Sequence, residues 1–210
     1  FFHLLKLSTT HDKSFVVNYH RILDIPLDES VFVQPGMYVS VNTFRQHIKF
    51  LKDHYEVINL PELAARVRDG KTIGRCCAIT IDDGWLDSYT HAYPVLQEFK
   101  APATIFLATG YIGTNRLFWP EEFAQYLCQS ELMIAARQKS RMLDEVVSRA
   151  SDMNGDELLD RCICSLKVLP VEERDDLLAH LQQMCKSEAT ERILLNWDEV
   201  REMHDSGIVS

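Results

Sequence analysis

The chain has 210 residues, 46% of them hydrophobic, which is enough apolar material for one substantial core and unlike the composition of a disordered chain. The formal net charge of -9 is unevenly spread: residues 120–206 hold 19 Asp/Glu against 10 Lys/Arg, and the rest of the chain holds 12 of each. No basic stripe exists to neutralise phosphates, so no nucleic acid partner is expected.

The segment Phe1-Phe2-His3-Leu4-Leu5-Lys6-Leu7 reads either as the remnant of a signal or surface-binding helix or as an ordinary packing segment. Phe15 to Tyr19 reads as a first strand with His20 and Arg21 at its exit, followed by a loop marked by Pro26 and Pro35-Gly36. Ser40 then caps a helix in which Val41, Phe44, Ile48, Leu51 and Tyr55 form one apolar stripe. Glu56 to Leu60 is expected as a short strand, and Pro61 opens a helix that ends at Gly70. Ala78 to Ile81 is a buried strand, and Leu86 to Phe99 is helical with Pro94 in the first turn of a second helical piece. Ala103 to Leu107 is a further buried strand.

This alternation predicts parallel strands with helical crossovers, an α/β sheet or barrel. From Pro120 to Thr190 the pattern changes to long amphipathic stretches with breaks near Asn154-Gly155 and Pro170, an acidic all-helical insertion. Trp197 to Met203 is a helix closed by Gly207, and Ile208-Val209 starts another strand. The expected domains are residues 1–119, the first part of the α/β unit; 120–192, the insertion; and 193–210, the return. The missing initiator Met and an ending at the start of a strand suggest a fragment at both ends.

The chemistry concentrates at Asp82-Asp83-Gly84. Two neighbouring anions at the carboxyl end of a buried strand repel each other unless a cation or a shared proton offsets them. The pair therefore argues for a metal or for divided acid and base roles, against the plainer reading of an Asp-Gly turn whose Asp caps the next helix.

Several segments together resemble the polysaccharide deacetylase family, the NodB-homology domain of carbohydrate esterase family four. Thr80-Ile81-Asp82-Asp83-Gly84 is similar to its Thr-Phe-Asp-Asp-Gly signature, and Asn18-Tyr19-His20-Arg21-Ile22 to a first-strand Tyr-His-Arg segment. Pro102-Ala103-Thr104-Ile105-Phe106-Leu107 resembles its Pro-Ala-Thr-Phe-Phe strand, and Leu195-Asn196-Trp197 through Ile208 the helix before its second signature. The resemblance implies a distorted (β/α) barrel of the NodB-homology type, here incomplete and carrying the helical insertion. It implies metal-dependent removal of acetyl groups from N-acetylated sugars, hydrolysing C–N amide bonds that are not peptide bonds.

Asp82 would then be the catalytic base and Asp83 a ligand of Zn2+ or another divalent cation. A ligand carboxylate stays ionised beside the cation, while its neighbour takes a proton from water whose pKa the cation lowers. The resemblance places two His ligands in a His-Ser/Thr-x-x-His signature beyond residue 210. The eight histidines of this chain contain no pair spaced three or four apart, so the 210 residues alone are expected to bind zinc weakly and to hydrolyse nothing.

His20 is a candidate substrate contact rather than a ligand, or a histidine bonded to a loop. Trp85 is a candidate substrate-binding residue lining the cleft, or a plug at the barrel rim. Trp119 is either a sugar-stacking platform or a packing residue, and Thr80 a structural hydrogen-bonding residue. His91 reads as a surface or packing residue, the clusters Glu121-Glu122, Glu172-Glu173 and Asp175-Asp176 as a solvated helical face, and Gly110-x-x-Gly113 is too weak to suggest phosphate binding.

The substrate would be a glycan or a lipid-linked sugar precursor. Two other classes remain open at this point: a Mg2+-dependent phosphoryl transferase using the same Asp pair, and a barrel that binds glycans without turnover. Six cysteines with no Cys-x-x-Cys pair argue against a zinc knuckle and favour a reducing, cytoplasmic location over export. No apolar stretch reaches the length that crosses a bilayer, which leaves membrane association open.

Overall fold

The computed structural model describes residues 14–24, 33–34, 36–71, 74–127, 129–149, 154–185 and 191–210. The apolar segment at residues 1–7 and the loop position Pro26 lie outside them, as do Cys128 and the junction at residues 150–153. The described residues form two compact units. One lies within residues 1–28, 36–115 and 191–210, the other within 29–35 and 116–190. Gln34 belongs to the helical unit, where its side chain donates to Asp160 (2.8 Å) and accepts from Lys167 (3.1 Å).

The first unit is built on β5 (Cys76–Ile81), buried at every position. Strand β1 (Phe15–Tyr19) runs parallel to it, pairing Phe15 with Cys77 through Tyr19 with Ile81. Strand β4 (Glu56–Val57) pairs with the amino end of β5, and β6 (Ala103–Ile105) with its carboxyl end, both parallel. Beyond β6, Val209 bridges Ala103 in parallel, so the end of the chain adds to the sheet as its pattern predicts. A second parallel pair, β2 (Arg21–Leu23) with β3 (Tyr38–Ser40), lies where the sequence suggested a loop.

Alternation along β5 sorts its side chains between two faces. Cys77, Ile79 and Ile81 pack with Phe44, Ile48, Val95 and Leu96 from α1 (Val41–His54) and α3 (Tyr93–Phe99). Cys76 and Ala78 meet Ile58 and Leu63 on the opposite face. Burial pushes the Cys77 thiol up to about 11, so it is a packing residue rather than a nucleophile.

Helix α1 starts where Ser40 accepts from the Thr43 N–H at 3.0 Å. Helix α2 (Leu60–Arg68) starts one residue earlier than Pro61 suggests, because Asn59 caps the Glu62 N–H at 2.8 Å. That cap also ends β4 before Leu60. A π-helical turn at Ser88–Ala92 runs into α3, with Pro94 in the first turn of α3 as expected. Helix α9 (Trp197–Asp205) opens on a capping box between Asn196 and Glu199.

The second unit contains α4 (Trp119–Leu127), α5 (Ser130–Lys139), α6 (Arg141–Ser148), α7 (Gly155–Lys167) and α8 (Val171–Met184). Its separate core includes Phe123, Ala136, Leu143, Ile163, Leu166 and Leu181. Among the described residues no helix is long and apolar enough to cross a membrane.

A titratable contact in the first unit makes stability pH-dependent. The hydroxyl of Tyr19 lies 3.2 Å from Nδ1 of His47, and burial lowers the His47 pKa below its ordinary value. Below that ordinary value the unfolded chain binds the proton more readily, so stability is present above it and is lost as pH falls toward the folded pKa. The Tm should therefore drop as pH falls below about 6.5, and His47→Gln should flatten part of that slope. Parallel slopes for the two proteins would refute the assignment to His47.

Candidate active site

Strand β5 delivers the two carboxylates by ending between its neighbours. The Asp82 N–H donates to Tyr19 O and the Phe106 N–H to Ile81 O, each at 2.9 Å. Asp82 thus leaves the sheet at the carboxyl ends of β1 and β6, the end where active sites of (β/α) barrels are assembled. The backbone then turns sharply, with φ of 75° at Asp83 and 81° at Gly84. Left-handed backbone costs a non-glycine residue about 1–2 kcal/mol, so the fold holds Asp83 against a local preference.

Glycine at the second position has a steric reason as well: a Cβ on Gly84 would lie 2.9 Å from Leu107 Cδ2 and 3.0 Å from Ile112 Cδ1. The turn is anchored from outside. The Ala108 N–H donates to Asp83 O (3.2 Å), the Leu195 N–H to Gly84 O (2.9 Å) and the Leu86 N–H to Ile193 O (2.9 Å). Arg192, which chelates Glu199 at 2.7 and 2.9 Å, steadies the strand-like segment that makes the last two of these contacts.

The two carboxylates have different partners. Asp82 Oδ2 accepts from Asn18 Nδ2 at 2.9 Å and lies 3.7 Å from His20 Nε2. Asn18 is oriented in turn, because its Oδ1 accepts from the Thr80 hydroxyl at 2.8 Å, which turns its NH2 toward Asp82. Thr80 therefore has the structural role read from the sequence. About a third of each side chain, Asp82 and His20, is exposed, so the pair is open to solvent and substrate.

Asp83 Oδ2 instead accepts from the indole Nε1–H of Trp85 at 3.1 Å. Trp85 is almost wholly buried, with the Arg21 guanidinium 4.2 Å from its ring centroid. Arg21 Nε donates to Asp87 Oδ2 at 2.7 Å, and the Ile22 N–H donates to Asp87 Oδ1 at 2.8 Å. His91 is tied to the same strand through Ile22 O, 2.8 Å from its Nδ1. A cavity of about 60 Å³ opens beside Asn18 and His20, bounded also by Met37 and Tyr38.

The structure thus brings His20, Asp82, Asp83 and Trp85 into one cluster. Trp119 belongs to the helical unit, where it packs against that core with Arg174 4.9 Å above its ring. Asn18, Arg21, Asp87 and Phe106 were given no role from sequence. Asn18 carried a usable signal, since it stands two residues before His20 on the same face of β1. Asp87 carried none, because its partners come from a strand 66 positions earlier.

A carboxylate such as Asp83, with Oδ2 oriented by Trp85, has the chemistry to ligate a divalent cation. Among the described residues no group of three or more His, Cys, Asp or Glu side chains is placed to hold a metal.

Residues 69–153 match the family described as Polysaccharide deacetylase. YxkH of Bacillus subtilis (strain 168), named for the same family, is 34% identical over 105 residues, 49% of this chain and 38% of its own length. The poly-beta-1,6-N-acetyl-D-glucosamine N-deacetylase of Staphylococcus aureus (strain MSSA476) is 31% identical over 121 residues, 51% of this chain and 40% of that one. The solved structure of a de-N-acetylase from Aggregatibacter actinomycetemcomitans aligns with 94% of this chain and 52% of its own, at a TM-score of 0.51 and 18% identity, a likeness of fold.

Residues 69–153 are thus similar to the polysaccharide deacetylase family, and the parallel strands and helices share the (β/α) fold of the solved de-N-acetylase. The chain spans less than half the length of the curated relatives it matches.

Proposed function

We propose that the chain carries the base and one metal ligand of a deacetylase that removes acetyl groups from N-acetylated sugars of a polysaccharide or a lipid-linked glycan precursor. The observation that carries this reading is the separation of adjacent carboxylates: Asp82 on Asn18 and His20, Asp83 on Trp85. Equivalent carboxylates of a simple turn would have no need of two distinct sets of partners.

In this reading Asp82 accepts the proton of the attacking water. Asn18 holds its Oδ2 in place while the carboxylate stays partly exposed to the water it deprotonates. His20, with Nε2 3.7 Å from Asp82 Oδ2, borders the same open face. Asp83, with Oδ2 fixed by the indole, would help hold a divalent cation such as zinc, together with ligands from outside the described residues. When bound, that cation would polarise the acetyl carbonyl and acidify water at the site. Acetamide and water become acetate and a free amine, the proton taken by Asp82 passing onward to the departing nitrogen.

The full-length gene product, loaded with zinc, should release acetate from β-1,6-linked N-acetylglucosamine oligomers. A chelator should abolish the release and added zinc restore it. The isolated 210 residues should bind zinc only weakly in calorimetry. No acetate from the zinc-loaded full-length protein on any N-acetylated glycan would overturn the proposal.

A further inference from the structure

We propose that Phe106 is the platform on which the pyranose ring of the substrate rests beside Asp82, an inference that rests on the deacetylase reading. The sheet register supplies the argument. Tyr19, Ile81 and Ile105 are aligned across β1, β5 and β6. The residue immediately after each strand is His20, Asp82 and Phe106, and the bonds from the Asp82 N–H to Tyr19 O and from the Phe106 N–H to Ile81 O carry the alignment one step further.

Side-chain alternation places these three on one face. Asn18, Thr80 and Thr104 stand two residues earlier in the same register, and Asn18 bonds both Thr80 and Asp82. Phe106 therefore follows Thr104 on the face that carries the base. The row reads imidazole, carboxylate, phenyl ring.

The exposure of that ring marks it out. Phe106 is 51% exposed, although Ile81 beside it is fully buried. Scattered exposed apolar residues are ordinary on any protein, but this one adjoins the group assigned to proton transfer. An aromatic face carries negative quadrupole density that attracts the polarised C–H bonds of a pyranose. A sugar lying on Phe106 would hold its acetamido substituent over Asp82, with the ring oriented by one apolar surface and few immobilised polar groups.

In the full-length protein, Phe106→Ala should raise KM for N-acetylglucosamine oligomers about tenfold, with a smaller effect on kcat. Phe106→Trp should restore KM, since it returns an aromatic face. Phe106→Leu should not, because it fills the space without one; this variant serves if the Ala protein folds poorly. The loss on the glycan should exceed the loss on ethyl acetate, an acetyl ester without a sugar ring, by the same order.

Equal losses on both substrates, or a Leu variant as good as Trp, would make Phe106 a packing residue and overturn the inference. An active enzyme with unchanged KM in Phe106→Ala would do so as well, leaving the deacetylase reading intact. Absence of any activity in the unmutated protein would remove that reading first.

Discussion

Asp82→Asn in the full-length protein should lower acetate release by about a hundredfold to ten-thousandfold while bound zinc stays stoichiometric. The amide still accepts a hydrogen bond through its oxygen but cannot take a proton at neutral pH, so the geometry at Asn18 survives and the chemistry does not. Asp83→Asn should behave differently. It removes the charge that offsets the cation, and zinc should be lost on dialysis along with activity. Excess zinc should rescue Asp83→Asn in part and Asp82→Asn not at all. Metal content by elemental analysis, set beside acetate release, separates the two roles; variants that lose metal and activity in the same proportion would show that the carboxylates act as one unit.

How far the sequence foretells this arrangement depends on how local each cause is. Ser40, Pro61, Pro94 and Gly207 announced helix boundaries because capping and proline geometry act within a turn. The apolar run of Ala78 to Ile81 announced a central strand because both of its faces are covered. Strands β2 and β3 went unseen because three residues each are too few to show a period of two, and their pairing joins residues 21–23 to 38–40.

At the site, the Asp doublet was legible as a motif, and the family resemblance implied a base at Asp82 and a ligand at Asp83; the partners that set the two apart were not legible. Asn18 and Thr80 face Asp82 only once β1 lies beside β5 in register. Trp85 was read as a cleft wall or a rim plug from its position after Gly84. The fold buries it and aims its N–H at Asp83, because Arg21 covers the ring from a strand far back in the chain.

That long-range cover leads to the largest expected effect on stability, at Asp87. Its side chain is 6% exposed and that of Arg21 11%, and its two oxygens serve Arg21 Nε and the Ile22 N–H. Asp87→Ala would strand a buried guanidinium and orphan a buried N–H. Breaking such a pair from one side costs about 3–5 kcal/mol, which for a chain of this size corresponds to a Tm lower by roughly 10 °C. Arg21→Leu should cost a comparable amount. The double variant should be less destabilised than the sum of the two, because neither charge is then left alone.

Asp87→Asn keeps an acceptor for the Ile22 N–H and removes the charge that fixes Arg21, so it should fold. In the full-length protein it should weaken zinc binding by about tenfold to a hundredfold, because an unclamped Arg21 no longer holds Trp85 against Asp83. Zinc titration of Asp87→Asn, read beside its melting curve, tests this path. A destabilised protein whose zinc affinity is unchanged would confine Asp87 to the fold and leave Trp85 positioned by its packing alone.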